Sequence, residues 1–322
     1  MTNNKDYFGS KLEFGEISLF HDKNATEELG GCCDGRFFSV IRCSGLDAKN
    51  YLNGQTSNQL NQLKSGDGHA SSFNTPKGKT IALMDIYRFE NDYFLVFAAN
   101  AQKRVLETLD MYLFAEDVKL DQQDFESSIL FLGTKECSDI SNRFGLESAK
   151  EFAMKSLEAG LVFKGYFGNI PYLLFLGSLA ELDRDVKQPL MSLDDLELLR
   201  IKNLYPLPGV EYIADKILTP ELDHAHRINY QKGCFVGQEV FARLRTYGRT
   251  NKVLASICIN NCSESPENLI DQEVSIDGKS KGNVIACIRH QEEIYLTAYV
   301  PTALKSLGDD VSVGQFTGVI IA

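Results

Sequence analysis

The first regular pattern of apolar and polar residues predicts a strand, a tight turn and a helix. Residues 37–43 are rich in aromatic and β-branched side chains, Gly45 interrupts the run, and residues 46–52 have helical spacing with Gly54 as a stop. Three more predicted strands and an amphipathic helix follow, at residues 70–73, 80–89, 93–98 and 101–114. This order predicts an α+β module.

A second α+β module is predicted downstream, followed by a helix and a barrel. Its predicted strands and short helix lie at residues 128–132, 161–164, 172–176 and 140–144. Leucines at three-residue spacing predict a helix over 193–203 that must end before Pro206, because the position preceding a proline disfavours helical geometry. After residue 251 the pattern changes to short strands separated by turns such as 277–278. Such a pattern predicts a small antiparallel β-barrel.

Size and charge limit the classes of function. The chain has 322 residues, more than one compact core usually contains, so we expect two or three domains. Its formal net charge of -11 disfavours sequence-independent binding to nucleic acid, which needs clustered Lys and Arg. No apolar run reaches the roughly 20 residues that span a bilayer, and the first residues lack the features of a signal or transit peptide. We therefore expect a cytoplasmic protein without direct nucleic-acid or membrane partners.

The eight cysteines and two short motifs do not predict a metal or phosphate site. The cysteines are scattered and form no C-x-x-C pair, so we expect reduced thiols and no zinc or cluster site built from this chain alone. The sequence PKGKT at 76–80 lacks the first glycine of a phosphate-binding loop, since Phe73 stands at that position, and a hairpin turn is favoured. His224 and His226 would share a face only in a strand, and we favour ordinary polar histidines there.

Cys234 lies between Gly233 and Gly237, just before a predicted helix. Backbone amides at the helix start and the cation of Lys232 would stabilise a reactive thiolate. A small buried side chain, placed where a larger one would not fit, explains the same position equally well. The residues alone leave both interpretations open.

Two runs of residues resemble one known family. The first run comprises Lys232, Gly233, Cys234, Phe235, Val236, Gly237, Gln238 and Glu239, followed by Ala242 and Arg243. The second run covers residues 45–58 and includes Asn53, Gly54 and Gln55, and a glycine turn at 77–79 follows it in the order typical of the family. In these runs the chain resembles the YgfZ family of folate-binding proteins, relatives of the T-protein (aminomethyltransferase) of the glycine cleavage system, from about residue 37 onward.

The resemblance implies a fold, a ligand and a cellular role. It implies a three-domain ring of two ferredoxin-like α+β modules and a C-terminal antiparallel barrel, enclosing a cavity for a reduced folate such as tetrahydrofolate. The implied domains are 1–40 together with 115–245, an inserted domain 41–114, and the barrel 246–322. The implied role is the support of iron–sulfur proteins, as clients, and through them tRNA modification.

The chain departs from the T-protein pattern at the residues that serve one-carbon transfer. The aspartates that follow the glycine turn in the T-protein correspond to Ala82 and Leu83, and Asp85 lies about 7 Å further along the strand. A glutamate of the T-protein corresponds to Lys202, which cannot accept hydrogen bonds from a pterin. A tetrahydrofolate-dependent transferase, with Asp85 as a displaced acid or base, is therefore the alternative to folate binding. A non-catalytic interaction scaffold is the third possibility.

The implied folate site has candidate residues of two kinds. Lys232, Arg243 and, with less support, Arg245 offer cations to the glutamate tail of a folate. Phe38 and Leu196 are candidates for the walls around the flat pterin. Cys234 is the candidate reactive residue of the family signature. We assign no metal ligands.

Overall fold

The computed structural model describes residues 30–125, 127–146, 149–178, 190–248, 250–276, 279–304 and 306–322. Within them the strands are, in chain order, β1 (Gly31–Asp34), β2 (Phe38–Ser44), β3 (Gly68–Asn74), β4 (Thr80–Phe89), β5 (Asp92–Ala98), β6 (Lys119–Gln122), β7 (Ser127–Leu132), β8 (Ala153–Leu157), β9 (Gly160–Phe167), β10 (Ile170–Gly177), β11 (Lys252–Ile259), β12 (Glu273–Ile276), β13 (Lys279–His290), β14 (Glu293–Pro301), β15 (Asp310–Val313) and β16 (Phe316–Ile320). The α-helices are α1 (Ala48–Gln55), α2 (Gln102–Met111), α3 (Thr134–Arg143), α4 (Leu193–Lys202), α5 (Gln238–Tyr247) and α6 (Pro266–Leu269).

The strands form two five-stranded sheets and a closed barrel. One sheet has the order β3-β4-β5-β2-β6 and the other β1-β7-β10-β9-β8, with every ladder antiparallel. The barrel closes through β11-β14-β13-β12-β15-β16, because β16 pairs back onto β11. The predicted α+β class with two sheet modules and a C-terminal barrel is confirmed.

Three layers of apolar side chains hold the two sheets and their helices together. The largest core lies between the two sheets and joins Phe38 and Tyr87 of one sheet to Phe163 and Tyr172 of the other. On its outer face the first sheet packs against α1 and α2, and the second packs against α3. Burial of these faces follows from the alternation of apolar residues along each strand.

Helix α4 joins the sheets to the barrel. Leu196 and Leu199 pack into the core between the sheets, whereas Leu198 and Ile201 pack against residues of the barrel. A capping box at Ser192 fixes the start of this helix, because its hydroxyl and the Asp195 carboxylate satisfy each other's backbone N–H groups. A further cluster connects Leu83 of β4 to Leu254 of β11. The barrel is therefore connected to the first sheet through this cluster and to the core between the two sheets through α4.

Several predicted elements have different bounds in the structure. Helix α1 contains Gly54, which the pattern had indicated as its stop, and α3 begins at Thr134, six residues before the predicted start. Four short strands were not predicted: β1, β6, β8 and β15. Each of these strands has four or five residues and carries at least one polar residue, and pairing with neighbouring strands completes its hydrogen bonds. The predicted turn at 277–278 lies outside the described residues.

The predicted domain boundaries stay predictions. Strand β2 begins at Phe38, before the proposed inserted domain 41–114, and β6 lies after its end, yet both strands pair within the same sheet as β3, β4 and β5. Residues 1–29 of the first proposed domain lie outside the described part of the chain. In the described residues, none of the helices has the length and apolar character needed to cross a membrane.

Candidate functional site

Asp85 is the centre of a buried polar cluster between the two sheets. It lies in β4, whose neighbouring side chains are apolar, and its Cα faces Ala70 on β3 and Val96 on β5. Its Oδ1 accepts a hydrogen bond from Arg227 Nη1 at 2.8 Å, and its Oδ2 accepts one from the Tyr172 hydroxyl at 2.8 Å. The carboxylate of Asp85 is therefore buried and hydrogen-bonded to Arg227 and Tyr172.

Arg227 and the tyrosines complete this cluster. The same Arg227 nitrogen donates to the backbone carbonyl of Met84 at 3.0 Å, and the Tyr87 hydroxyl lies 2.9 Å from that of Tyr172. Side chains of Asp85 and Arg227 are 5% and 3% exposed. A buried ion pair of this kind offsets the loss of hydration only when both partners are also hydrogen-bonded, as they are here.

Burial controls protonation in the cluster. It raises the pKa of Asp85, while the charge and hydrogen bond of Arg227 and the hydroxyl of Tyr172 oppose that shift. Burial also raises the pKa of Tyr172 and of Tyr87 well above the usual range, so both phenols stay protonated and can donate. Each carboxylate oxygen of Asp85 accepts one hydrogen bond, so in this structure the residue is half of a buried ion pair. Its role as a displaced acid or base stays a prediction.

Phe38 and Leu196, the candidate pterin walls, lie in the same apolar cluster as Tyr172. The Phe38 ring centroid is 5.1 Å from that of Tyr172, and Phe167 stacks on Tyr205 at 4.2 Å with nearly parallel planes. Phe38 is 7% exposed and Leu196 is 2% exposed. In this structure both side chains pack against their neighbours in the core. Through Tyr172, the fold brings Phe38 close to Asp85, and Leu196 lies in the same apolar core.

The Lys232 ammonium has a different environment from the one expected. Its Nζ donates to three backbone carbonyls, of Asn53 at 2.6 Å, Thr56 at 2.6 Å and Asn58 at 3.0 Å, and it lies over the Phe235 ring. Burial lowers the pKa of Lys232 to about 7, and the three carbonyls favour the charged form that burial disfavours. In this structure Lys232 therefore binds the end of α1, and its contact with a folate tail stays a prediction.

The two family-like runs of sequence and the glycine turn at 77–79 meet at the start of α5. The Val236 N–H donates to the Gly54 carbonyl, and the Asn229 N–H donates to the Ser57 carbonyl, each at 3.0 Å. Gly237 has φ of +84°, and a Cβ there would lie 2.7 Å from the carbonyl oxygen of Thr75 in the turn before β4. Because only glycine adopts this φ readily and permits so close an approach, the signature requires it at this position. The 76–80 segment is the predicted hairpin turn.

The exposed part of the signature carries Cys234, Arg243 and Glu239. All eight cysteines are free thiols, and Cys234 is the exposed one among them. Arg243 is 72% exposed and pairs with Glu239, four residues earlier on α5, at 2.6 Å. Arg243 also lines a pocket of about 310 Å³ with Val240, Leu244 and Gly248. Gln238 donates weakly to the Lys232 carbonyl at 3.4 Å. Cys234, Arg243 and Glu239 are therefore exposed to solvent, whereas Asp85, Phe38 and Leu196 are buried.

The other candidate sites of the sequence have ordinary structural roles. His224 is buried with a ring nitrogen 3.1 Å from the Leu204 carbonyl, in a segment that is not a strand. Lys202 lies over the Tyr295 ring of the barrel at 4.7 Å. No group of three or more potential metal ligands occurs among the residues that the structure describes.

Comparison with known proteins adds the evolutionary relationship. No family model matches the chain. The protein named tRNA-modifying protein YgfZ of Buchnera aphidicola is 21% identical over 271 residues, covering 80% of this chain and 83% of that protein. The protein of the same name of Colwellia psychrerythraea is 20% identical over 260 residues, covering 77% and 78%.

The fold has a counterpart among solved structures. The crystal structure of glycine cleavage system aminomethyltransferase T from Bartonella henselae superposes with a TM-score of 0.74, covering 91% of this chain and 85% of that chain at 15% identity. The chain is similar in sequence to proteins named YgfZ and similar in fold to the aminomethyltransferase T. The resemblance stated from its sequence motifs is thereby confirmed.

In this chain, sequence reasoning missed Arg227 and Tyr172. One signal was available for a partner of Asp85, since a lone acid in an apolar strand requires a buried cation or donor. Nothing in the sequence indicated which cation, because Arg227 lies 142 positions away. Sequence reasoning also missed the buried network of Arg200 with Glu197 and Glu211, although Glu197 lies three residues before Arg200 on the predicted helix.

Proposed function

We propose that this protein binds a reduced folate of the tetrahydrofolate class and supports iron–sulfur proteins, and through them tRNA modification, without transferring a one-carbon unit. The T-protein-like fold and the relatives named tRNA-modifying protein YgfZ support this proposal. The observation that supports its non-enzymatic part is the burial of Asp85 in an ion pair with Arg227, because a substrate would have to reach this carboxylate between the two sheets before it could exchange a proton with it.

The pterin would bind in the aromatic region around Phe38. Flat aromatic rings such as those of Phe38, Tyr172 and Tyr205 provide the stacking surface that a pterin needs. Since these rings pack closely against one another, entry of the ligand requires them to move apart, and this rearrangement lowers the apparent affinity. We therefore expect a dissociation constant in the micromolar range, on the order of 1–100 μM.

The glutamate tail would bind near Arg243. Its guanidinium is largely exposed and lines the pocket on α5, whereas Lys232 is occupied by carbonyls. Arg245, two residues along the same helix, lies over the Tyr230 ring at 5.4 Å and provides a matched control. Arg243→Glu reverses a charge that lines the proposed tail site. Arg245→Glu makes the same charge reversal two residues along the helix.

Calorimetric titration with tetrahydrofolate and with its polyglutamylated form tests the proposal. We expect both ligands to bind the unaltered protein. Arg243→Glu should weaken the polyglutamate at least fivefold more than the monoglutamate, while Arg245→Glu has a smaller effect on both ligands. The absence of heat and of a thermal shift at millimolar tetrahydrofolate would reject folate binding and leave the scaffold alternative. Equal losses for both forms would remove Arg243 from the site.

The likeness to an aminomethyltransferase gives the second candidate function. A tetrahydrofolate-dependent transferase would release the one-carbon unit from an aminomethyl donor in the presence of the purified protein. We expect no release above the background without protein. Release that depends on tetrahydrofolate and is abolished by Asp85→Asn, in a variant that still binds folate, would establish the transferase and overturn the non-enzymatic proposal.

A further inference from the structure

Two large apolar side chains are exposed to solvent on adjoining loops at one end of the first sheet. Leu46, in the turn before α1, is 91% exposed, and Phe114, in the loop after α2, is 86% exposed. Met111, the last residue of α2, is 58% exposed. Single exposed apolar residues are common on protein surfaces, whereas neighbouring ones indicate an interaction site. Whether these residues form one interaction site therefore depends on how the two loops are positioned relative to each other.

Hydrogen bonds join the two loops into one ordered surface. The Leu46 N–H donates to Asp117 Oδ2 at 3.2 Å, and the Asp47 N–H donates to the Asp117 carbonyl at 3.2 Å. The Asp117 N–H donates back to Asp47 Oδ2 at 2.9 Å. Since three peptide units separate Phe114 from Asp117, their Cα atoms are at most about 11 Å apart. Leu46 and Phe114 are thus held near each other.

The loop after α2 is also ordered internally. The Glu116 carboxylate accepts hydrogen bonds from the backbone N–H groups of Phe114 at 2.9 Å and Ala115 at 3.0 Å. These bonds lower the pKa of Glu116, so its charge is retained in mildly acidic solution. Gly45 approaches the Asp117 carbonyl so closely that a Cβ would lie 2.1 Å from it. The exposed side chains are therefore presented by preordered backbone, which reduces the entropy lost on binding.

Carboxylates outnumber cations in the two segments that carry these apolar side chains. Residues 45–50 and 107–118 contain five acidic side chains and one lysine. The acidic residues are Asp47, Glu107, Asp110, Glu116 and Asp117. Such a surface repels a second copy of itself, and it also repels anionic lipid and nucleic acid.

We propose that the Leu46/Phe114 surface, defined by Leu46, Met111, Phe114 and the carboxylates of residues 45–50 and 107–118, binds a protein segment in which Lys or Arg residues flank apolar side chains. The apolar side chains of the partner would cover Leu46 and Phe114, and its cations would meet the carboxylates at the rim. Charge complementarity selects this partner chemistry over the others, because residues 107–118 carry four carboxylates and no cation, while residues 45–50 carry one charge of each sign. The proposal is independent of folate binding.

Fluorescence anisotropy with two labelled peptides tests the surface on the full-length protein. The probe peptide has two leucines flanked by lysines, and the matched peptide has serines in place of the leucines. We expect the leucine peptide to bind at least tenfold more tightly than the serine peptide. The double variant Leu46→Ser, Phe114→Ser should weaken the leucine peptide at least tenfold, while Leu307→Ser, at a 73%-exposed leucine of the barrel region, should not change its affinity.

The rim is tested with isosteric charge changes. Glu107→Gln with Asp110→Asn should weaken the leucine peptide at least threefold at low salt, with a smaller effect at high salt. Equal binding of the peptide to the unaltered protein and to the double serine variant would overturn the proposal, and so would a failure of the leucine peptide to bind. Self-association lost in the double serine variant, or binding of phosphatidylserine vesicles by the unaltered protein, would assign the surface to a second copy or to lipid and would also overturn it.

Discussion

The Arg227 guanidinium donates to the Asp85 carboxylate across 2.8 Å, although 142 positions separate the two residues in the chain. Asp85 belongs to β4 of the first sheet, and Arg227 ends a short 3-10 helix just before the family signature. Arg227 also donates to the Ser71 and Met84 carbonyls, so it ties this helix to two strands of the sheet. The pair therefore links the buried polar cluster to the segment that carries Cys234.

Arg227→Met should destabilise the protein by about 3–5 kcal/mol, because the change leaves the Asp85 carboxyl buried without its cation. Adding Asp85→Leu to Arg227→Met should restore part of this loss, since the remaining carboxyl is then removed as well. Urea unfolding of the two single variants and the double variant measures the coupling. Additive losses would show that the two side chains do not interact in solution.

Lys232→Met should reduce the free energy of unfolding by about 3 kcal/mol, because three buried carbonyls lose a charged donor. The matched control is Lys103→Met on α2, where the side chain is 89% exposed and its pair with Glu107 spans 3.9 Å. That change should cost less than about 0.5 kcal/mol. Equal effects of the two substitutions on the urea midpoint would contradict the role assigned to Lys232.

The two glycines that bracket Cys234 should respond differently to alanine. Gly237→Ala should cost about 2–3 kcal/mol, because φ is +84° and the new methyl group would meet the Thr75 carbonyl oxygen. Gly233→Ala should change stability by less than about 0.5 kcal/mol, since a Cβ there has no atom within 4 Å. Thermal unfolding of both variants checks this difference. Similar melting temperatures would mean that Gly237 does not adopt the left-handed conformation.

Iodoacetamide should modify one thiol per folded chain, at Cys234. The other seven cysteines are buried, and burial raises the pKa of several of them, for example Cys32 and Cys43, to about 12. Both effects slow alkylation, because the reagent needs an accessible thiolate. Mass spectrometry of digested protein locates the label. Cys234→Ser should abolish labelling of the folded protein, and fast labelling of a buried cysteine would contradict this arrangement.

The proposed role of the Cys234 thiol in supporting iron–sulfur proteins has a cellular test. Cys234→Ser should keep the melting temperature within about 2 °C, because the side chain is exposed and changes little in volume. The same variant should fail to restore iron–sulfur enzyme activity in cells from which the native gene has been deleted. Full restoration by Cys234→Ser would show that the thiol is dispensable for that role.

His69 should make stability depend on pH in the mildly acidic range. Burial is the main cause that lowers the pKa of His69 to about 4 in the folded protein, compared with about 6.5 in an unfolded chain. Between these values the unfolded chain binds a proton that the folded chain does not, so stability falls as pH decreases from 6.5 to 4. The loss is about 2–3 kcal/mol for this group, allowing for its partial exposure.

Replacement by glutamine isolates this contribution. Urea midpoints of His69→Gln should decline less than those of the unaltered protein between pH 6.5 and pH 4, because glutamine does not titrate. Parallel declines of the two proteins would show that His69 is not the group responsible.

Local sequence patterns determined the α+β order, the barrel and the hairpin turn at 76–80. Periodicity, turn residues and positive φ act over a few residues, and such preferences can be recognised along the chain without knowledge of its packing. Strand β15 escaped prediction because DVSV is short, and it becomes a strand only by pairing with β12 and β16.

The tertiary structure decided the partners of the polar residues. The sequence indicated Asp85 as a displaced acid or base and Lys232 as a cation for a folate tail, and both roles stay predictions. The path of the chain places Arg227 against Asp85, and it places three carbonyls of residues 53–58 around Lys232 from about 175 positions away. A buried charge must find its partner wherever the chain passes, because water is excluded there, and only the three-dimensional path of the chain determines which residue that is.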